Sequence, residues 1–104
     1  MITTFSQRVT ELALSIPPCR VTTYGILARG AGGCGQAARS VSYILSKFSN
    51  QGMIPWHRIV YSSGHAWLSP EHEAKRRKQY KKEGIGVDKK GKIKDFEEIL
   101  YHFD

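Results

Sequence analysis

Cys19 and Cys34 supply the thiols of this sequence, and His57 is a candidate base for nucleophilic chemistry. A cysteine attacks as its thiolate, which forms readily at neutral pH only beside a base or a positive charge. Neither cysteine has a histidine as its neighbour in the sequence, so nothing around them predicts an activated thiol. His57 instead follows Trp56, whose indole nitrogen donates a hydrogen bond but offers no nucleophilic lone pair. His57 therefore has no nucleophile beside it in the sequence, and the segment taken alone could be an ordinary strand edge.

The two cysteines also argue against a metal site. They form no Cys-x-x-Cys pair and no cluster with histidines at the spacing of zinc ligands, so we expect neither a metal nor a cofactor. The sequence has no long apolar run and no start that resembles a signal peptide. We therefore expect no membrane association, free thiols, and a cytoplasmic, nucleoid-associated protein, or a nuclear one in a eukaryote.

Length and charge indicate a small basic domain. A chain of 104 residues with 40% hydrophobic residues can bury one modest core, so we expect a single globular domain over residues 1–104 and a monomer. The formal net charge of +7 and the isoelectric point near 9.7 favour a polyanionic partner. Many soluble basic proteins bind no nucleic acid, so the charge alone does not decide the function.

Three helices are predicted in the first half of the chain. Thr4 and Gln7 fit a capping box for a first helix that ends before Pro17, and Thr22 or Thr23 can cap a second helix from Tyr24 to Arg29. After a glycine-rich turn, a third helix from Gln36 to Phe48 has an apolar stripe of Val41, Ile44, Leu45 and Phe48. Its opposite face carries Gln36, Arg39, Ser40, Tyr43 and Lys47. This pattern predicts a helix-turn-helix, and a plain amphipathic helix pair with a solvated face is the alternative.

The second half predicts a short strand and two more helices. Ile59 and Val60 indicate an extended segment, and Ser69-Pro70-Glu71 has the cap, proline and acid that begin a helix. That helix should reach Glu83 and stop at Gly84, and its many lysines and arginines could simply form a solvated face. Asp95 and Glu98 then predict a capping box for a last helix with an apolar face, formed by Phe96, Ile99, Leu100 and Phe103.

Three segments resemble motifs of the O6-alkylguanine-DNA alkyltransferases. Val21-Thr22-Thr23-Tyr24-Gly25 is similar to that family's Val-x-Thr-Tyr-Gly, Ala37-Ala38-Arg39-Ser40-Val41 to its Ala-Ala-Arg-x-Val, and Ile54-Pro55-Trp56-His57-Arg58 to its Ile-Pro-Cys-His-Arg. The resemblance implies a mainly α, single winged-helix or helix-turn-helix domain with little β structure, like the C-terminal DNA-binding domain of those enzymes. Residues 85–104 lie outside the match.

With a tryptophan at the position of the family's cysteine, the sequence more narrowly resembles the alkyltransferase-like proteins. These proteins bind the lesion without repairing it. The resemblance further implies that the N-terminal ribonuclease-H-like domain of the enzymes is missing. The family's glycine-rich loop is replaced by His65 to Pro70, from which we expect a more open pocket that accepts bulkier O6 adducts.

The family's DNA-binding roles can be carried to matching residues. Arg39 matches the arginine that enters the base stack, and Tyr24 matches the tyrosine that helps to rotate the damaged nucleotide outward. Without the resemblance, Arg39 would be a solvent or phosphate contact and Tyr24 a half-buried aromatic residue. Small residues at Ala37 and Ala38 would let the helix approach a minor groove, and the backbone or sugar contacts would come from Gln36, Ser40 and Tyr43.

The resemblance implies a lesion pocket around Trp56, with Pro55, His57, Tyr24 and Ser62. Trp56 could instead be a core tryptophan. The histidine and glutamate that activate the family's cysteine match His57 and Glu83, which would remain as a structural pair. Asn50 is a weak match for the family's asparagine, and Arg58 is expected to tie neighbouring segments together.

The resemblance therefore implies a non-enzymatic sensor of O6-alkylguanine in double-stranded DNA that binds from the minor groove and flips the base. Its further partners would be nucleotide excision repair proteins, of the UvrA type in a bacterium. Two other functions stay open: an active alkyltransferase that uses Cys19 or Cys34, and a winged-helix regulator that reads a sequence in the major groove.

Overall fold

A computed structural model describes residues 4–33 and 38–103, and most of its regular structure is helical. The helices are α1 (Phe5–Leu14), α2 (Tyr24–Gly30), α3 (Ala38–Ser46), α4 (Glu73–Lys82) and α5 (Phe96–Ile99). Two 3-10 turns span Gln51–Met53 and Trp56–Arg58, and the parallel strands are β1 (Thr22–Thr23) and β2 (Ile59–Val60). The predicted mainly α fold with little β structure is confirmed. None of the described helices is long and apolar enough to cross a membrane.

Side-chain caps fix where the first two helices begin. The Thr4 hydroxyl accepts a hydrogen bond from the Gln7 backbone at 3.2 Å, and the Gln7 side chain accepts one from the Thr4 backbone at 3.0 Å. This is the predicted capping box, which satisfies two amide groups that a helix start leaves free. Thr23 caps α2 in the same way, since its hydroxyl accepts the Ile26 amide at 3.1 Å. Tyr24 is therefore held as the first residue of α2.

The first three helices enclose one hydrophobic core. Val9 and Ala13 of α1, Leu27 of α2, and Val41 and Leu45 of α3 are fully buried in it. Ile44 and Phe48 complete the predicted stripe of α3, and both are half-buried at the edge of this core. Because one face of α3 packs inward, its opposite face is exposed to solvent. The described part of the chain thus contains the predicted pair of packed helices.

A second core forms around the two strands. Val21 and Val60 lie here with Tyr80 of α4, and Ile85 and Ile93 of the following segment close the cluster. The segment after α5 runs beside β1: the Val21 amide donates to the Ile99 carbonyl at 3.1 Å, and the Tyr101 amide donates to the Val21 carbonyl at 2.7 Å. Residues beyond Gly84 are therefore part of the folded domain rather than an appendage.

Two predicted helix starts differ from the structure. Helix α4 begins at Glu73, and residues 70–72 form a turn in which the Ser69 carbonyl accepts the His72 and Glu73 amides at 3.0 and 2.9 Å. The Ser69 hydroxyl does not cap; it is buried and has no partner among the described residues. The end of α4 is as predicted, because Gly84 adopts a φ of +74° that glycine tolerates best.

The predicted capping box at Asp95 is also wrong. Asp95 has a φ of +56° and its side chain makes no cap, so α5 is a single turn. Leu100 leaves the helix in extended conformation and lies beside Val21, while Ile99 and Phe96 pack on the second core. The pairing of this segment with Val21, just before β1, satisfies both backbone groups of Val21, and this tertiary interaction overrides the local capping pattern.

The pairing beside β1 can be tested with proline. Tyr101→Pro removes the amide that Val21 accepts at 2.7 Å, which leaves a buried carbonyl without its partner. We expect the free energy of unfolding to fall by about 1–3 kcal/mol, measured by urea denaturation. His102→Pro is the matched control, because His102 is exposed and its amide donates to no described residue. Equal losses in both variants would contradict the assigned role of the pairing.

Candidate nucleic-acid interface

A large open cavity lies between α3 and α4. Its volume of about 1190 Å³ is above the roughly 300–1,000 Å³ usual for small-molecule sites. Aromatic residues on its wall are Tyr24, Tyr43, Trp56, Tyr61 and Trp67, and the cationic ones are Arg29, Arg39, Lys75 and Arg76. No aspartate or glutamate lines the cavity in the described part of the chain. Aromatic faces combined with positive charges suit nucleobases and phosphates.

The exposed face of α3 forms one wall of this cavity. Arg39, Ser42, Tyr43 and Ser46 line it, at the spacing that places residues on one side of a helix. Arg39 and Tyr43 were expected on this face, and Ser40 is exposed but does not line the cavity. Ser42 and Ser46 were missed, although the same spacing counted from Arg39 points to them. Gln36 and Ala37, and the side chain of Ala38, lie outside the residues that the structure describes.

Tyr24 stands where α2 begins and reaches the cavity. Its ring is half-buried and lies 5.8 Å from that of Tyr61, with the ring planes tilted by 40°. Burial raises the pKa of Tyr24 to about 12, and Tyr61 adds to this effect. The phenol therefore stays protonated at neutral pH and can donate a hydrogen bond.

A tight turn brings Trp56 to the cavity wall. The Trp56 amide donates to the Ile54 carbonyl at 2.9 Å, and Ile54 and Trp56 both line the cavity. Trp56 also packs on the first core, so the pocket and core interpretations both apply to it. Ser62 also lines the cavity. Pro55 and His57 are buried and do not line it, because the turn directs His57 toward Glu83 at the end of α4.

Glu83 is the centre of a buried network behind this turn. His57 Nε2 lies 2.5 Å from Glu83 Oε2, and Arg58 Nη2 donates to the same oxygen at 2.7 Å. The Cys19 amide donates to Glu83 Oε1 at 2.9 Å, and Arg58 Nη1 donates to the Ile16 carbonyl at 3.0 Å. Arg58 thus ties α1, the turn and α4 together. Asn50 is exposed, and its side chain takes no part in this network.

In this network Glu83 is ionised at neutral pH, whereas His57 is uncharged. Burial opposes ionisation of Glu83, but hydrogen bonds from Arg58, His57 and the Cys19 amide lower its pKa to about 2. Burial lowers the pKa of His57, and the charges of Arg58 and Arg76 act in the same direction, which outweighs the hydrogen bond and charge of Glu83. Neutral His57 therefore donates through Nε2 to an ionised carboxylate, and its buried Nδ1 has no partner among the described residues.

Helix α4 forms the wall opposite α3, which the sequence pattern did not reveal. His72, Lys75, Arg76 and Gln79 line the cavity at the same helical spacing as the α3 residues. Arg76 is only 8% exposed. Its guanidinium lies 5.0 Å from the centre of the Trp67 ring, and Nη1 donates to the Trp67 carbonyl at 2.6 Å. A run of basic residues was expected to be solvated, and a polar helix gives no apolar stripe that marks its inner face.

Comparisons with known proteins relate this chain to DNA-binding proteins. The model of the 6-O-methylguanine DNA methyltransferase DNA-binding domain matches residues 4–85. A DNA base-flipping protein of Escherichia coli K12 is 36% identical over 89 residues, which are 86% of this chain and 68% of that protein. A DNA base-flipping protein of Vibrio parahaemolyticus is 35% identical over 78 residues, 75% of this chain and 77% of that protein.

Solved structures are similar over most of the chain. S. pombe Atl1, in complex with damaged DNA containing O6-carboxymethylguanine, superposes with a TM-score of 0.72 at 25% identity and covers 93% of this chain and 94% of its own. Mycobacterium tuberculosis O6-methylguanine methyltransferase has a TM-score of 0.63 at 29% identity over 80% of this chain and 50% of its own. The chain thus matches one part of that enzyme and nearly the whole of Atl1.

The Glu83 network predicts a specific acid sensitivity. A pKa lowered from 4.5 to about 2 means that ionised Glu83 stabilises the fold above pH 4.5, and that this contribution is lost as the pH falls toward 2. The lowered pKa of His57 adds a loss that begins below its ordinary value of 6.5, because only the unfolded chain takes up that proton there.

We therefore expect Glu83→Gln to lower the free energy of unfolding by about 1–3 kcal/mol at pH 7, because Arg58 loses its charged partner, and to flatten the loss of stability between pH 4.5 and 2. Urea denaturation over a pH series measures both effects. Glu71→Gln is the control, since that side chain is 87% exposed and should change little. A Glu83→Gln variant as stable as the parent at pH 7 would refute the central role of Glu83.

Proposed function

Because this chain belongs to the family of the 6-O-methylguanine DNA methyltransferase DNA-binding domain, and is alkyltransferase-like within it, we propose that it is a non-enzymatic sensor of O6-alkylguanine in duplex DNA. The observation that carries the proposal is the cavity wall formed by Trp56, Tyr24 and Arg39. These residues supply a stacking surface, a hydrogen-bond donor and a cation at one opening between two helices. Such a set suits a nucleobase taken out of its duplex.

Binding of DNA is assigned to the outer face of α3. Arg39, Ser40 and Tyr43 are exposed there, and Lys47 lies 5.0 Å from the centre of the Tyr43 ring. Hydroxyl groups and cations on one helical face contact phosphates and sugars, which position a protein on DNA without reading its sequence. General affinity should therefore depend on salt.

Base flipping is assigned to Arg39 and Tyr24 together. Extrusion of a nucleotide costs a few kcal/mol of stacking and pairing, which contacts made only in the flipped state must offset. A planar guanidinium can stack on the neighbouring bases and hydrogen-bond to the unpaired cytosine. No described carboxylate holds Arg39, so its guanidinium is available for this role. Tyr24 lines the same cavity, where it would receive the moving nucleotide.

The position of Trp56 supports a protein that binds the alkylated base but does not take up its alkyl group. An indole cannot accept an alkyl group as a thiolate does, and neutral His57 faces Glu83 rather than a nucleophile. Cys19 is exposed and does not line the cavity, and Cys34 lies outside the described residues. A lesion that is bound but not repaired must be passed on, so we propose that nucleotide excision repair proteins, of the UvrA type in a bacterium, take over the marked site.

Substitution of Arg39 tests the flipping role. We expect Arg39→Ala to weaken binding to a duplex containing O6-methylguanine by about 10-fold or more, a change of about 1.4 kcal/mol, because the flipped state loses its stacking partner. Binding to the same duplex with guanine should weaken far less. Fluorescence anisotropy titration at one salt concentration measures both affinities.

Lys47→Ala is the matched control for charge, since Lys47 is an exposed cation just beyond α3 that does not line the cavity. It should weaken binding to both duplexes about equally. If Arg39→Ala also weakened both equally, Arg39 would be an ordinary charge contact. A lesion-independent consensus in a binding selection would favour the sequence-reading regulator instead.

The enzymatic alternative has its own test. A duplex carrying O6-[methyl-³H]guanine should transfer no label to the protein under conditions in which it binds, because the indole of Trp56 stands at the position of the family's nucleophilic cysteine. The bound duplex should be recovered with its methyl group intact. Label on Cys19 or Cys34, located by peptide mapping, would show that the protein is an alkyltransferase.

A further inference from the structure

We propose that Arg76 makes the cavity selective for O6 substituents that carry a carboxylate. This inference rests on the proposed function, because it names the class of lesion that the same cavity prefers. It concerns the α4 wall, which is distinct from the α3 face assigned to DNA contact. A carboxylate accepts two parallel hydrogen bonds from a guanidinium, which a neutral alkyl group cannot do.

The partners of Arg76 set it apart from nearby arginines. Arg58 is held by Glu83 at 2.7 Å, and Arg77 is held by Glu73 at 2.8 Å. Within the described chain no carboxylate lies within 4.0 Å of Arg76, and its guanidinium donates to one acceptor, the Trp67 carbonyl. A cation that is 8% exposed and lacks an anionic partner has given up hydration without full compensation. Binding of an anion would supply that compensation.

Trp67 prepares the guanidinium for this role. The Trp67 ring lies 5.0 Å from the guanidinium carbon of Arg76, and the Trp67 carbonyl accepts a hydrogen bond from Arg76 Nη1. The guanidinium of Arg76 is therefore fixed both by its flat face and by one of its donors. The remaining N–H groups of Arg76 donate to no described residue. A guanidinium fixed in this way loses little further conformational freedom when it binds a ligand.

The surroundings of Arg76 favour an anion over a neutral group. Lys75 and His72 lie beside it on the α4 wall, and the described lining of the cavity contains no acidic side chain. Burial raises the pKa of Tyr24, while the charge of Arg76 acts on it in the opposite direction, so Arg76 is electrostatically coupled to the proposed base-binding wall. A substituent on a base beside Tyr24 and Trp56 would extend into a cavity of this size toward that charge.

The test uses two duplexes that differ only in charge. One contains O6-carboxymethylguanine, and the other contains O6-carbamoylmethylguanine, a neutral group of nearly the same shape. We expect the parent protein to bind the first about 10-fold more tightly, as a charged hydrogen bond predicts. Arg76→Gln should abolish that ratio, and Arg76→Lys should retain part of it. Arg77→Gln is the matched control, because Arg77 is the next residue of α4 but is paired with Glu73, and it should keep the full ratio.

Each outcome separates this inference from the proposed function. Equal affinity of the parent protein for the two duplexes would overturn the inference, and this measurement needs no variant to fold. An equal loss in Arg76→Gln on both duplexes and on undamaged DNA would overturn it too, since it would make Arg76 a phosphate contact. If no O6-substituted duplex bound more tightly than guanine, the proposed function itself would fail.

Discussion

The hydrogen bonds of the Glu83 carboxylate hold together separate segments of this fold. The carboxylate stands at the end of α4 and accepts hydrogen bonds from the turn that carries His57 and Arg58 and from the loop before β1. Through Arg58, it also reaches the carbonyl of Ile16 after α1. These segments are far apart in the sequence, and one ionised group joins them. Since residues of α4 and of the Trp56 turn both line the cavity, the carboxylate also fixes these two parts of its wall to each other.

Local signals in the sequence were reliable where local interactions decide the structure. The capping box at Thr4, the buried stripe of α3 and the glycine that ends α4 depend on neighbouring residues, and the structure contains all three. Other features depend on distant residues. The single turn after Asp95 is followed by a segment that pairs with Val21, a contact that no short sequence pattern encodes. The motif resemblance singled out Tyr24, Arg39 and Trp56, which the structure brings to one cavity, whereas Pro55 and His57, from the same motif as Trp56, lie behind that cavity.

The arginines that contribute to the net positive charge have different roles in the structure. Arg58 is a structural tie, Arg77 is paired with Glu73 and bonded to the carbonyls of Asp88 and Lys89, and Arg76 faces a cavity. Only the partners of each guanidinium distinguish these roles, and the sequence shows the charges without the partners. This is why the basic helix could be predicted while its inner face could not. The periodic spacing of α3 and α4 residues on the two walls becomes visible only when both helices are placed.

The pairing beside β1 has a consequence for the synthesis of the protein. The Thr22 hydroxyl donates to the carbonyl of Tyr101, 79 residues later in the chain. Thr22 and Thr23 lead directly into α2, whose first residue is Tyr24. On the ribosome, the segment around Tyr101 is therefore translated long after Thr22 and α2. Contacts between residues so far apart in the sequence form slowly. An unfinished nascent chain therefore contains Tyr24 and all of α3 before the contacts that hold Val21 and Thr22 to Ile99 and Tyr101 can form.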